Sequence, residues 1–362
     1  MMRPLKIAHL IMEFNLGGIE SMLLDIMRIQ YEAGHKLTLF ILHDIYSQTL
    51  INVAKQYAEV VFLHGNSGIA VPLAIFKLNI KLRIWAPDAV HCHNPKFVKA
   101  LFYPKDMIFS SVHGISQNHD SFCSALSKIN RIFAISDAVR DDLYSRYHYP
   151  NIVTIANGID LSGIERRGIF GHIDSLRIVQ VSRLEHQKKG QDILIKAVSR
   201  LAADGFCNDH GIRIDFIGEG ESEEYLRQLT DELGCRKYIS FLGKLPREQV
   251  YKCLKNYDVI IQPSRYEGFG LTIVEGMAAG LIPVVSDRGG PREVVGDDGK
   301  AGLLFKCDDP ADCAAVLKKI FDLSPQQLNE FQSNAIERSK KYSIENTCLK
   351  FERFYRHQDA SC

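Results

Sequence analysis

Short apolar runs recur along the chain with helix-like segments between them: "KIAHLIM", "KLTLFILH", "EVVFL", "DAVHCH", "MIFSSVH", "RIFAIS" and "NIVTIAN". Runs of this length, separated by amphipathic stretches, are the mark of parallel strands covered by helices on both faces. The series pauses at "LSGIERRGIFGHIDS", a charged, glycine-containing stretch without periodicity, which puts a boundary near Ile164 to Ser175. It then resumes with "LRIVQVSRL", "IRIDFIGEG", "ISFLGKL", "DVIIQPS" and "IPVVSDRGG". The expected fold class is therefore α/β, with two Rossmann-like, doubly wound domains. A length of 362 residues fits that division, because single cores seldom grow so large. The tail from Ser343 to about Gln358 has a serine cap and apolar residues at helical spacing, and reads as a final packing helix. The expected domains are 1–168, 169–342 and a terminal helical segment, 343–362.

Composition removes several function classes. A formal net charge of +1 gives no global field for nucleic acid, so no nucleic-acid partner is expected. Nine cysteines at scattered spacings, with no C-x-x-C pair, indicate neither a zinc ribbon nor a disulfide framework, and a reducing cytoplasm suits them. The basic start "MMRPLKIAHLIMEF" is interrupted by His9 and Glu13 and lacks a small-residue cleavage site, so it reads as a first strand rather than a signal peptide. No apolar stretch approaches the roughly 20 residues of a membrane-spanning helix, so any membrane contact is expected to be peripheral.

Ligands of open α/β sheets sit beyond the carboxyl ends of the strands, and the candidate residues cluster at those ends. After the first strand, Gly17 and Gly18 precede an amphipathic helix, an arrangement that serves either as a tight turn or as a phosphate-accepting helix N-terminus. In "VSRLEHQKKGQDILIKAV", Arg183, Lys188 and Lys189 bring permanent cations to a strand end, suited to an anionic leaving group, although a Lys-Lys pair is more often a solvated loop. Gly218 and Gly220 in "IDFIGEGES" are small enough to pass close to a nucleotide. The stretch "SRYEGFGLTIVEGMAAG" carries Glu267 in a loop and Glu275 about two turns further along, inside a helix. Carboxylates accept from sugar hydroxyls, whereas the N–H groups of Gly268, Phe269, Gly270 and Leu271 donate to phosphate. Two acids so close repel in a dry site unless a cation or hydroxyl lies between them, so an elongated nucleotide sugar spanning the pair is the expected ligand.

In this combination "LGGIE", "VHCHN", "SVHG", "ISDAVRDDL", "NGID", "VSRLEHQKKG", "IGEGES", "FLGKL", "PSRYEGFGLTIVEGMAAGLIPVVSDRGGPREVV" and "AGLLF" resemble, in order over nearly the whole chain, family 4 of retaining glycosyltransferases. The resemblance implies the GT-B architecture: two Rossmann-like domains facing across a cleft, an acceptor site mainly on the first, an NDP-sugar site mainly on the second, and a last helix crossing back. It implies that Glu275 binds ribose hydroxyls, that Glu267 faces the transferred sugar, and that Arg183 and Lys189 hold the diphosphate. Gly18 would approach that diphosphate, and His113 would lie beside the donor sugar. The implied reaction moves a hexosyl unit from an NDP-sugar, a UDP-sugar by preference, to a hydroxyl of a glycan or lipid-linked acceptor with retained configuration. Bacterial surface polysaccharide or lipopolysaccharide assembly follows by analogy.

No cofactor is expected beyond the sugar nucleotide as co-substrate, and no metal. No D-x-D tripeptide occurs. His91 and His93 share a strand face, with Cys92 on the other, and two ligands do not close a structural zinc site. Three rival readings are a GT-B sugar-nucleotide epimerase, a non-catalytic sugar-nucleotide-binding subunit, and a nicotinamide dehydrogenase, the last opposed by the missing G-x-G-x-x-G. In "HGNSGIAVPLAIFKLNIKLRIWAPD", Lys77, Lys81, Arg83 and Trp85 belong either to a contact with an anionic membrane surface or to the solvated basic face of an ordinary amphipathic helix.

Overall fold

The computed structural model of the protein describes residues 3–15, 17–114 and 128–357; the last residues of the expected terminal segment, 358–362, lie outside that description. The chain divides into two compact units, Met1–Ile159 with Ile344–Cys362, and Asp160–Ser343.

The first unit is built on a seven-stranded sheet in the order β3-β2-β1-β4-β5-β6-β7. Its strands are β1 (Lys6–Ile11), β2 (Lys36–Ile41), β3 (Glu59–Phe62), β4 (Ala89–Cys92), β5 (Ile108–Val112), β6 (Arg131–Ala134) and β7 (Ile152–Thr154). All pairings are parallel. Helices cover the faces, so the central strands are buried almost throughout and are largely apolar, with His9, His91, Ser110 and Ser111 as buried polar exceptions. The helix Ile344–Tyr355 completes this unit: Phe351 and Tyr355 join the same core as Ile7, Leu39, Phe109 and Phe133. The Ile344 amide donates to the Ile159 carbonyl, and the Thr347 hydroxyl to that of Ala156.

The second unit has a six-stranded parallel sheet in the order β10-β9-β8-β11-β12-β13. Its strands are β8 (Arg177–Val181), β9 (Arg213–Ile217), β10 (Ile239–Gly243), β11 (Val259–Gln262), β12 (Ile282–Ser286) and β13 (Leu303–Phe305). The division between units falls at Ile159, earlier than the 168/169 boundary expected from sequence. The reason is local. Arg167 donates its amide to Ala279, pairs with Asp258 at 2.9 Å and lies over the Phe170 ring at 3.4 Å, so the aperiodic charged stretch is packed on the second sheet.

In each sheet the first strand has its successor on one side and a later strand on the other: β1 lies between β2 and β4, and β8 between β9 and β11. Chain segments leaving such neighbours diverge to opposite faces, opening a crevice at the carboxyl ends. Arg183, Lys189 and Glu267 follow β8 and β11; Gly17, Gly18 and His93 follow β1 and β4.

Candidate functional site

The crevice of the second unit is assembled from three backbone crossings. Beyond β8, Ser182 donates its amide to the Ile217 carbonyl at 3.0 Å and Leu184 donates to Glu219 at 3.1 Å, so this segment lies directly over the end of β9. Gly218 has a φ of 145°, and a side chain there would collide with the Ser182 carbonyl. The close approach that Gly218 permits is that of the chain's own backbone. Between these crossings the Arg183 side chain is exposed and, among the described residues, makes no hydrogen bond or ion pair.

The chain then turns through the short helix His186–Lys189 into the helix Gln191–Ala203. Gly190 joins them with a φ of 69°, and a side chain there would strike the Pro263 carbonyl at the end of β11. That contact brings the lysine turn against the loop holding Glu267: the amides of Arg265 and Tyr266 both donate to the Lys188 carbonyl, at 2.8 and 3.2 Å. Lys189 Nζ pairs with Glu267 Oε2, both side chains being about four-fifths buried, at 22% and 19% exposure. Two buried glutamines fix the cations' backbone. Gln180 Nε2 donates to the Lys189 carbonyl at 3.0 Å, and Gln191 Nε2 donates to the Arg183 carbonyl at 2.9 Å.

Arg265, which the motif reading passed over, clamps the whole arrangement. It meets Asp192 bidentately at 2.8 and 2.9 Å, donates to the His186 carbonyl at 2.7 Å and reaches Asp308 at 2.8 Å. Burial of Asp192 acts to raise its pKa, but the hydrogen bonds and charge of Arg265, followed by those of Lys196, outweigh it and hold the carboxyl below its ordinary range. The only sequence signal for this pair was an arginine beside a motif and an acid in the first turn of a helix.

Past Glu267, Phe269 is buried, with its ring edge-on to Tyr342 at 5.4 Å. Its side chain anchors the loop, and what the Gly268–Leu271 segment presents is backbone. Gly270 is the N-cap of the helix Leu271–Ala278; the Ile273 and Val274 amides donate back to its carbonyl, and the Leu271 and Thr272 amides ahead of them form the positive dipole end. On that helix Glu275 accepts from the Tyr251 hydroxyl at 3.4 Å, and Arg247 Nε donates to the same hydroxyl at 2.8 Å. Each acid thus has its own partner, a lysine for Glu267 and a phenol for Glu275.

Gly17, Gly18 and His113 belong to the first unit. Gly17 caps the helix Gly18–Glu32 with an extended backbone, φ −162°, and the nearest atoms a side chain there would meet are those of the flexible Glu20 carboxylate. His113 follows β5; its ring nitrogens are buried and have no partner among the described residues, and burial lowers its pKa to about 4. Its ring stacks on His93 at 5.8 Å.

His93 belongs to a cluster that sequence reading saw only in part. The β1–β4 register sets His9 opposite His91, and ring nitrogens of His9, His91 and His93 lie within 4.8 Å of one another. They would offer a metal three neutral nitrogen donors, since burial lowers the pKa of His9 to about 4 and those of His91 and His93 well below the ordinary value. Most of these nitrogens are engaged by protein groups. His91 lies between the Tyr355 hydroxyl at 2.6 Å and the Ser111 hydroxyl at 2.7 Å. With Gln30 Oε1 accepting at 2.8 Å, His9 carries its proton on Nε2 and accepts on Nδ1 from His93 Nε2 at 3.1 Å. That leaves His93 Nδ1 as a buried acceptor without a partner among the described residues. The missed third histidine was signalled by a polar residue inside the apolar run "KIAHLIM".

Residues 16–162 match the family described as Glycosyltransferase Family 4, and residues 168–341 that described as Glycosyl transferases group 1. The chain is 28% identical to an uncharacterized glycosyltransferase of Methanocaldococcus jannaschii over 58% of its own length and 60% of the relative's. It therefore spans about three fifths of that protein. It is 24% identical to the phosphatidyl-myo-inositol mannosyltransferase of Mycolicibacterium smegmatis, over 94% of this chain and 90% of that one. Among solved structures, Anabaena HepE in complex with UDP superposes with a TM-score of 0.79 at 19% identity, covering 97% of this chain and all of the other. The chain belongs to the family 4 glycosyltransferases and has their GT-B fold.

Proposed function

We propose that the protein transfers a hexosyl unit from an NDP-sugar, a UDP-sugar by preference, to a hydroxyl of a glycan or lipid-linked acceptor, with retained anomeric configuration and without a divalent ion. The observation that carries this reading is the buried Lys189–Glu267 pair at the β8/β11 crevice, with the unpaired Arg183 guanidinium on the same β8-end segment. Bond breaking to a nucleotide diphosphate leaves negative charge on the diphosphate and positive charge on the sugar. Arg183, Lys189 and the Leu271 and Thr272 amides at the helix start suit the former, and Glu267 the latter. Positions fixed by buried glutamines and by Arg265 require little reorganisation as that charge develops. Glu275 is assigned to the ribose hydroxyls, and Gly218, Gly268, Phe269, Gly270 and Leu271 to the backbone around the diphosphate. The family resemblance assigns Gly18, which Gly17 precedes at the helix start, to the diphosphate and His113 to the donor sugar. A UDP complex of a structural neighbour and a relative named as a phosphatidylinositol mannosyltransferase support the donor and acceptor classes, as does the role in bacterial surface glycan assembly that such relatives suggest.

The first test is a sugar-nucleotide panel read by thermal shift, since a ligand that binds only the folded state raises its stability. Folded Glu267→Gln and Arg183→Ala are expected to lose transfer by at least about 100-fold. Parental rates in both would refute the site, and a rate lost on adding EDTA would refute metal independence. Incubation with donor alone separates transfer from epimerisation, and anomeric NMR of the product tests retention.

A further inference from the structure

The helix Ala70–Trp85 has two apolar faces, and one of them is bare. Ala74, Leu78 and Leu82 are buried. On the opposite side Leu73, Phe76, Ile80 and Ile84 are 52%, 62%, 42% and 79% exposed, and Ile69, just before the helix, is 89% exposed. At 100° per residue these five side chains fall within an arc of roughly 80°, a continuous stripe about 22 Å long. The basic face left open by the sequence is therefore not what this helix turns outward; its cations border the apolar stripe.

A second element extends the stripe. Asn79 donates to the Ala100 carbonyl at 2.8 Å and accepts from the Phe102 amide at 2.7 Å, which fastens that loop alongside the helix. Phe102, so held, is 82% exposed. Cations surround both pieces: Lys77, Lys81 and Arg83 are exposed on the helix, Lys99 and Lys105 are exposed on the loop, and Lys128 Nζ lies 5.6 Å from the Phe102 ring. The helix itself contains no acidic residue, and Asp106 is the acid within the loop.

We propose that this face docks the protein on an anionic lipid bilayer, the helix lying in the interface with Leu73, Phe76, Ile80, Ile84 and Phe102 in the acyl boundary and the lysines at the headgroups. Charge decides between this occupant and a second copy of the chain. A two-fold contact would place the same cations against each other, whereas anionic headgroups neutralise them. No described helix is long and apolar enough to cross a membrane, so the contact lies on the surface. The proposal goes beyond the transfer reaction and stands whether or not that reading holds.

The chain contains one tryptophan, Trp85, at the end of this helix, and its emission reports the contact directly. The full chain is mixed with phosphatidylcholine vesicles, with and without about one third phosphatidylglycerol, and followed by Trp85 emission and co-sedimentation. Expected are a blue shift and sedimentation with the anionic vesicles only, both reversed in about 0.5 M salt. Phe76→Ser with Ile84→Ser, and separately Lys77→Glu with Lys81→Glu, should each weaken binding at least tenfold. All four side chains are exposed, so melting temperature and sugar-nucleotide binding should stay unchanged. Equal or no sedimentation with the two vesicle types overturns the proposal. So does a concentration-dependent dimer that the serine variant abolishes.

Discussion

Replacing Arg265 by methionine isolates what holds the lysine turn to the glutamate loop. The Asp192 side chain is 4% exposed and loses both bidentate bonds, which leaves a buried carboxylate with Lys196 at 3.2 Å as its remaining charged partner. Breaking a buried pair from one side costs about 3–5 kcal/mol. The lower end applies here, about 3 kcal/mol, because Lys196 is retained but is itself 44% exposed and screened. The Asp308 contact adds little, since that side chain is 59% exposed. For a unit of this size the loss corresponds to a fall of roughly 6–12 °C in melting temperature. The assay is urea unfolding by far-UV circular dichroism, with Trp85 reporting the other unit. Arg265→Met paired with Asp192→Asn completes a double-mutant cycle, and the double variant should be less damaged than the sum of the singles. The pH dependence has a fixed sign. The folded-state pKa of Asp192 lies below its unfolded value of 3.8, so its contribution is present above that value and disappears as pH falls through the folded one. The gap between parent and Arg265→Met should narrow below about pH 4. A single-variant cost under about 1 kcal/mol, or strict additivity in the cycle, would refute the clamp.

Acid should loosen the first unit well before carboxylates titrate. Burial lowers His9 and His113 from 6.5 to about 4, so the unfolded state binds the protons first, and stability declines as pH drops below about 6.5. Each contributes a penalty of about 3 kcal/mol once pH reaches 4, and a Trp85-monitored melt that is flat between pH 7 and pH 5 would contradict this. Gly218→Ala should destabilise the second unit by about 1–3 kcal/mol without any ligand present, because the added methyl meets the Ser182 carbonyl; an unchanged apo melt with weakened nucleotide binding would instead make ligand approach the reason for glycine. Tyr355→Phe removes the partner of His91 Nδ1 and should cost about 1–3 kcal/mol in denaturant unfolding, with no loss expected if a water takes the hydroxyl's place.

The α/β class and the two-part organisation were legible because parallel strands covered on both faces must be apolar along their length, and that requirement is written locally in "KLTLFILH" or "DVIIQPS". The positions of Arg183, Lys189 and Glu267 beyond strand ends, and of Glu275 inside the helix that follows, were legible for the same reason. Their partners were not. Lys189 meets Glu267 from 78 positions away, Arg265 meets Asp192 from 73, and His91 meets Tyr355 from 264. The end of unit 1 at Ile159 likewise depended on Arg167 finding Asp258. Periodicity states which side chains share a face but not what that face will touch. So Gly218 reads equally as room for a nucleotide or for Ser182, and the two apolar faces of Ala70–Trp85 look alike until the fold buries one. Sequence determined the elements and the chemistry available at their ends; only tertiary packing, which sets distances between residues far apart in the chain, decided which charges are neutralised, which histidines cluster and which apolar surface is left to meet something else.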